Sequence, residues 1–262
     1  MKSAIIALVL AAMPLSPAGA RSTLDADTLA ALAFRQHPGA RLPLDTVLRS
    51  EDGRAVHLGQ YFGSRPVVLV FDYLRCKTLC GVVLGGLAAA LDPLPLDAGR
   101  DYEVVAVSID PRDTPADAAA AKARDLARYH HAAAASGWHF LVGREDAIRR
   151  LADAAGFSYR YDAAIDQYAH PAGLIVASPD GTIARYILGV DYRPLDLRLA
   201  ITEAAQGKIS APLSHLLLLC YGYDPQQGRY TPQIEKAMIL VNFAGVLGFV
   251  AIIAAIHRRR NG

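Results

Sequence analysis

Two cysteines four positions apart, Cys76 and Cys80, are the residues best suited to chemistry in this sequence. They follow an apolar run, PVVLVF (66–71), that predicts a buried strand, and they precede a segment that predicts a helix. The unpaired amides and the dipole at a helix N-terminus stabilise a thiolate, and Arg75 and Lys77 add positive charge nearby. The pair could therefore form a disulfide, bind a metal ion, or fill a core as small apolar residues.

The spacing of the cysteines bears on these alternatives. Redox enzymes with paired cysteines commonly have two residues between them, whereas this pair has three. One helical turn still keeps the two Cα atoms within bridging distance, so a disulfide can form. Two thiolates also favour Cu(I), and an added imidazole makes a site that can hold Cu(II) as well. A structural zinc site normally needs four ligands, and the sequence has no second Cys/His pair at that spacing.

Among the eight histidines, His170 is the candidate for the imidazole. It ends the segment SYRYDAAIDQYAH (158–170), which we interpret as an irregular loop, and it directly precedes Pro171 and the apolar strand AGLIVAS (172–178). In a thioredoxin-like sheet, the loop before this strand lies beside the active-site cysteines. The other histidines fall in predicted turns, in a strand, at a helix end, in the connector or beside a predicted membrane span.

The order of predicted elements between Arg21 and Gly207 indicates an α/β fold. In chain order the sequence predicts a helix around Thr28–Gln36, a hairpin turning at Asp52-Gly53, a strand at 66–73, a helix ending near Asp92-Pro93, a strand at 102–110, a helix starting at Thr114-Pro115, a strand at 138–143, a helix stopped by Gly156, two strands joined through 179–181, and a last helix ending at Gly207. This alternation predicts a central sheet with helices on both faces. With paired cysteines at the end of the first buried strand, the pattern is thioredoxin-like.

The two ends of the chain predict export and a membrane anchor. The first residues, MKSAIIALVLAAMPLSPAGA, have the basic, apolar and small-residue regions of a secretory signal cleaved after Ala20. Residues 238–256 carry one polar side chain, Asn242, and no charge, and at a helical rise they cross a hydrocarbon core of about 30 Å. Three arginines (258–260) follow this segment and favour a cytoplasmic C-terminus.

These observations divide the chain and give it a location. We expect a signal peptide (1–20), a thioredoxin-like copper-binding domain (21–207), a connector (208–236), a transmembrane helix (237–257) and a cytoplasmic tail (258–262). The protein would then be a single-pass protein of the cytoplasmic membrane, with its main domain in the periplasm if the source is bacterial.

Composition narrows the classes of function. The net charge of +2 is spread along the chain, so there is no basic patch for a nucleic acid and we expect no nucleic-acid partner. Three cysteines allow one pair and one remaining thiol, which does not support a disulfide scaffold. The remaining thiol, Cys220, ends an apolar run; we interpret it as a packing residue, with a transient disulfide or an extra copper contact as the alternative.

Three motifs in the expected order resemble one known family. They are Cys76-x-x-x-Cys80 after a buried strand, SIDPRDTP (108–115), and His170 before the PDG turn (179–181). Over about residues 40–206 the chain resembles the SCO/SenC copper chaperones of cytochrome oxidase assembly. The chain departs from the more familiar members in having Gly81 in place of the usual proline after the second cysteine. It also has a predicted cleavable signal and a C-terminal instead of an N-terminal anchor, a combination that resembles a bacterial branch of the family.

The resemblance implies both a site and a client. By carry-over, Cys76, Cys80 and His170 are ligands of copper, as Cu(I), Cu(II) or both, and the fold is thioredoxin-like. Members of the family deliver copper to the CuA centre of cytochrome c oxidase subunit II or reduce the cysteines of that subunit. The implied partners are that subunit or another copper-dependent client, together with other periplasmic copper carriers or thiol reductants.

Alternative functions use the same residues. In a thiol–disulfide oxidoreductase, Cys76 and Cys80 would be the redox-active pair and His170 would tune the thiolate. A copper sensor or a membrane scaffold is a third hypothesis. We interpret the SIDPRDTP motif as a helix start and a loop of defined shape, with a role in the site as the less favoured alternative.

Overall fold

The computed structural model describes residues 32–74, 80–131, 134–209, 223–224 and 229–230. The predicted signal peptide, Cys76, Cys220 and the apolar segment 238–256 lie outside the described residues. Among the residues that are described, no helix combines the length and the apolar character needed to cross a membrane.

Seven strands form one mixed sheet in the order β2-β1-β5-β4-β3-β8-β9. The described residues form, in chain order, the strands β1 (Val47–Ser50), β2 (Ala55–His57), β3 (Val67–Asp72), β4 (Glu103–Ser108), β5 (Trp138–Val142), β6 (Arg160–Asp162), β7 (Gln167–Ala169), β8 (Gly173–Ala177), β9 (Ile183–Leu188), β10 (Tyr223–Asp224) and β11 (Arg229–Tyr230). The central strands β3, β4 and β5 are parallel, and the other neighbours in the sheet are antiparallel. Strands β6 and β7 form a separate antiparallel hairpin, and β10 pairs antiparallel with β11.

Helices cover both faces of the sheet. They are α1 (Cys80–Leu91), α2 (Pro115–Leu126), α3 (Ala134–Gly137), α4 (Glu145–Ala154) and α5 (Pro194–Ala205), with a 3-10 helix at Leu58–Tyr61. Helices α1, α2 and α5 pack in one apolar core, while α4 packs in a second core on the other face. The described part of the chain therefore has the mixed α/β architecture that the sequence predicts.

Strand β3 shows why the central strands have no polar face. Val68 and Val70 point into the first core, whereas Leu69 and Phe71 point into the second. Every residue of β3 is buried, as expected for a parallel strand covered on both sides. Burying such a side chain stabilises the fold by about 1.5–3 kcal/mol relative to leaving it exposed.

Local sequence signals fix several boundaries. Thr114 caps α2 through a capping box with Asp117, and Pro115 is the first helical residue, so the predicted start is confirmed. Gly53 has φ +77° in the turn between β1 and β2, which confirms the predicted hairpin. Gly156 has φ +64° just after α4, where the sequence places the helix end.

The prediction of a helix around Thr28–Gln36 is wrong for the part that the structure describes, residues 32–36. Phe34 instead forms a β-bridge with Phe157, and the two rings lie 5.2 Å apart. The Arg35 N–H donates to the Gly156 carbonyl at 2.7 Å. This extended conformation arises because the Phe34 ring packs against the second core, which outweighs local helix propensity.

The segment 158–170 is also more regular than predicted. Instead of an irregular loop, it contains the β6–β7 hairpin, whose register pairs Arg160 with Ala169. Its strands are three residues long and only partly buried, so they lack the continuous apolar run that identifies a core strand. The hairpin ends one residue before His170.

Candidate metal centre

The candidate residues converge on one edge of the sheet. The parallel register of β3 and β4 brings Asp72 and Ser108, the last residues of these strands, to the same edge. Strand β8 runs antiparallel to β3, so its first residue, Gly173, lies at this edge together with His170 just before it. Cys80 begins α1, the helix that follows β3.

His170 has the form that binds a metal ion. Its Nδ1 lies 3.0 Å from the Pro171 carbonyl oxygen, and because a carbonyl only accepts, Nδ1 carries the proton. The Nε2 lone pair is therefore available to coordinate a metal ion. Burial lowers the pKa of His170, which favours the neutral imidazole that metal binding requires.

Aromatic rings fix the orientation of this imidazole. Tyr73 meets it edge-on at 5.9 Å between ring centroids, and Phe157 lies 5.8 Å away. Tyr73 is also the first residue after β3 and lies three positions before Cys76. The segment that leads to the cysteines thus contacts the ring of the candidate histidine directly.

The SIDPRDTP motif holds the chain just before the cysteines. Asp113, which is buried, accepts a hydrogen bond from the Leu74 N–H at 2.8 Å and another from Ser108 Oγ at 2.6 Å. The motif does form a helix start, as predicted. Its contact with Leu74, two residues before Cys76, also gives it a part in shaping the candidate site, the less favoured alternative from the sequence.

The model of the SCO1/SenC family matches residues 44–204, which is more than half of the chain. The chain belongs to the SCO1/SenC family. No curated protein matches this chain in sequence.

Solved structures share the fold of this family member. A proposed electron transfer protein from Aquifex aeolicus VF5 has a TM-score of 0.58 and 24% identity, over 68% of this chain and 98% of its own. A proposed electron transport protein from the same organism has a TM-score of 0.54 and 26% identity, over 65% and 99%. The copper-bound ScoI of Arabidopsis thaliana has a TM-score of 0.50 and 20% identity, over 65% and 99%.

A positive charge lies beside the first turn of α1 in this SCO1/SenC chain. Arg128 Nη1 donates to the Gly81 carbonyl at 3.2 Å. A Cβ added at Gly85 would lie 2.8 Å from the same nitrogen, so a glycine here makes room for the guanidinium. Gly81, which stands in place of the usual proline, directly follows Cys80. Arg128 and the helix N-terminus therefore both contribute positive potential near Cys80.

A buried carboxyl group lies under the same edge. Asp72 is 2% exposed, and its Oδ1 accepts from the Tyr73 N–H at 2.8 Å. Burial, with the charges of Asp125 and Asp113 as smaller contributions, raises the pKa of Asp72 well above its usual range. Asp72 ends β3 just before the cysteine segment, and the sequence gives no signal that its carboxyl group is buried.

The structure thus places His170 and the start of α1 at one edge, while the ligand set itself stays a prediction. Cys76 and the side chain of Cys80 lie outside the described parts of the chain. Within the described parts, no group of three or more histidine, cysteine, aspartate or glutamate residues could hold a metal ion.

Proposed function

We propose that this protein is a membrane-anchored periplasmic copper chaperone that binds copper through Cys76, Cys80 and His170. The observation that carries the proposal is the state of His170. Its Nδ1–H donates to the Pro171 carbonyl, which leaves Nε2 for a metal ion, and burial lowers its pKa and so favours the neutral imidazole. It lies at the same edge of the sheet as the start of α1 at Cys80. Two thiolates and one imidazole suit copper in either oxidation state.

The family and its relatives support copper as the cargo. ScoI of Arabidopsis thaliana, which shares this fold, was solved with copper bound. Transfer to a client would proceed by exchange of ligands, so it needs no covalent chemistry. The thiolates must be reduced before copper binds, because a Cys76–Cys80 disulfide leaves no thiolate to donate.

The proposed client is subunit II of cytochrome c oxidase or another copper-dependent protein outside the cytoplasm. This client, the periplasmic location, the signal peptide (1–20) and the transmembrane helix (237–257) are our proposals from the sequence and the family resemblance. Fractionation of cells that express the full chain, followed by protease treatment of intact spheroplasts, tests the topology. We expect the protease to degrade the main domain in spheroplasts, where the periplasmic face of the membrane is exposed, and not in intact cells. Protection of the main domain in spheroplasts would contradict the proposed topology.

Copper reconstitution tests the proposed function. The reduced full-length protein in detergent is titrated with Cu(I) against a chromophoric Cu(I) chelator. One tightly bound copper per chain is expected, with none in the oxidised protein and a large loss of affinity in Cys76→Ser and Cys80→Ser. Unchanged affinity in His170→Ala would remove the histidine from the site.

A thiol–disulfide oxidoreductase is the second candidate function. The position of Cys80 at the start of α1, where the Arg128 guanidinium donates to the Gly81 carbonyl, favours a reactive thiolate. Rapid disulfide exchange with a peptide that carries the client cysteines, together with no tight copper binding, would favour this function. Absence of exchange together with tight copper binding would favour the chaperone.

A further inference from the structure

Arg112 joins two segments of the chain that are far apart in sequence. On the β4–α2 loop, its Nε and Nη2 donate to both carboxylate oxygens of Asp110, at distances from 2.8 to 3.1 Å, and Asp110 is 1% exposed. On the β6–β7 hairpin, its Nη1 donates to Asp166 Oδ1 at 2.7 Å and to the Tyr161 hydroxyl at 3.3 Å. The guanidinium also lies over the Tyr161 ring, 4.9 Å from its centroid. We refer to Arg112, Asp110, Asp166 and Tyr161 as the Arg112 clamp.

The buried end of the clamp makes it a fixed point. Arg112 also hydrogen-bonds Asp110 through its own backbone N–H, at 2.9 Å. A bidentate pair between a guanidinium and a buried carboxylate is among the strongest and most directional side-chain contacts. The guanidinium is therefore pre-oriented by the loop, and the hairpin binds to it.

The hairpin end of the clamp includes an unusual backbone conformation. Within the described residues, Asp166 is the one residue other than glycine with positive φ, at 49°. Such a conformation costs on the order of 1 kcal/mol and persists where the surroundings hold it. Asp166 Oδ1 accepts from both Arg112 and the Tyr161 hydroxyl, the latter at 2.6 Å. That hydrogen bond raises the pKa of Tyr161 and keeps the phenol as a donor.

The hairpin that is held in this way carries the candidate metal ligand. Strand β7 ends at Ala169, and His170 is the next residue. The Tyr168 ring lies 5.1 Å from the Tyr161 ring on one side and 5.6 Å from the Tyr73 ring on the other. A continuous series of ring contacts therefore connects the Arg112 clamp, through Tyr168, to the Tyr73 ring that faces the His170 imidazole.

We propose that the Arg112 clamp positions His170 in the metal site. Arg112 is a positioning residue: it acts on the hairpin and has no contact with copper. The inference rests on the proposed function, since it assumes that His170 binds the metal. Its distinctive consequence is that the effect of Arg112 on copper passes mainly through His170, because Arg112 contacts the hairpin directly, whereas Asp113 accepts from Leu74 in the segment before the cysteines.

A double-mutant cycle in the full-length protein tests this dependence. Arg112→Met is expected to weaken Cu(I) binding roughly 10-fold, the lower end of what loss of an outer-shell partner costs. In a His170→Ala background, Arg112→Met is expected to change the affinity by less than about 2-fold. Arg41→Met, which removes an exposed pair with Asp180 at the far end of β8, is the matched control and should retain wild-type affinity.

A second variant separates positioning from damage to the fold. Asp166→Gly removes the carboxylate while allowing positive φ without strain, and it is expected to reproduce the copper affinity of Arg112→Met. The electron paramagnetic resonance spectrum of the Cu(II) form should lose resolved nitrogen coupling in both variants. Equal losses of affinity from Arg112→Met with and without His170, or wild-type affinity in both clamp variants, would overturn the proposal.

A measurement without metal makes the two hypotheses independently falsifiable. Amide hydrogen exchange of the copper-free protein should be roughly 10-fold faster across 160–170 in Arg112→Met than in Arg41→Met, with β3 unchanged. Unchanged exchange there would contradict the clamp whatever the copper result. A wild-type protein that binds no copper would contradict the proposed function, and faster exchange in the same variant would still show that Arg112 holds the hairpin.

Discussion

Asp113 links the SIDPRDTP motif to the segment before the cysteines. Replacing it with alanine should lower the stability of the fold and the protection of the Leu74 amide. Its Oδ2 accepts from the Leu74 N–H at 2.8 Å and from Ser108 Oγ at 2.6 Å, and the residue is 6% exposed. Asp113→Ala leaves two donors without this acceptor in a place that water reaches poorly.

The magnitude follows from these two hydrogen bonds. A hydrogen bond to a charged group contributes about 1.5–3 kcal/mol, and two bonds to one carboxylate oxygen contribute less than twice that amount. We therefore expect Asp113→Ala to lower the free energy of unfolding by about 2–4 kcal/mol, and Tm by about 5–12 °C. Asp113→Asn, which keeps an acceptor oxygen, should lose about half as much.

The assay combines global stability with one local probe. Urea denaturation gives the free energy of unfolding, and hydrogen exchange read by NMR reports the Leu74 amide itself. Asp45→Ala, which removes an exposed pair with Arg150, should cost less than about 0.5 kcal/mol and leave the Leu74 amide protected. A stability loss in Asp113→Ala no larger than in Asp45→Ala, or an unchanged Leu74 exchange rate, would refute the reasoning.

Three further predictions concern groups whose pKa depends on neighbouring residues. The pKa of Asp72 is near 3.8 in the unfolded chain and higher in the folded protein, so the wild type loses stability as pH rises from 3.8 through the folded pKa. Urea denaturation should therefore show Asp72→Asn to be more stable than the wild type at pH 7 and equally stable below pH 3.8. Both ring nitrogens of His131 face acceptors, the Asp92 carbonyl at 2.8 Å and Asp97 Oδ1 at 2.6 Å, which raises the pKa of His131 above 6.5. The stability that this adds is complete below pH 6.5 and is lost as pH rises through the folded value, so a denaturation series should fall with pH in the wild type and stay flatter in His131→Gln. Arg128→Met should raise the pKa of the more reactive cysteine and slow its alkylation by iodoacetamide at pH 7 severalfold, and an unchanged rate would show that this guanidinium does not stabilise the thiolate.

The fold was predictable where short sequence signals carry a physical cause. The capping box at Thr114, the glycine after α4 at Gly156 and the continuous apolar run of β3 each determine local structure by themselves. The conformation of residues 32–36 was not predictable, because the Phe34 ring packs against a residue more than a hundred positions away. Local propensity carries no information about such a contact.

The position of His170 was predictable from the sequence, whereas the contacts that support it were not. The apolar strand after His170 places this residue at the sheet edge from sequence alone, and the structure agrees. The hairpin before it was not predictable, since its strands are three residues long and partly exposed. The contacts of Arg112 with Asp166 and of Asp113 with Leu74 depend on how the loops meet in space, which one sequence without that geometry does not specify.

X-ray absorption spectroscopy of the copper-loaded full-length protein tests the central claim most directly. With Cu(I) bound, the account predicts two sulfur ligands and one imidazole nitrogen, and a Cu site that loses the imidazole signal in His170→Ala. Sulfur-only coordination in the wild type, or a spectrum unchanged by His170→Ala, would contradict the assignment of Cys76, Cys80 and His170 as the metal site.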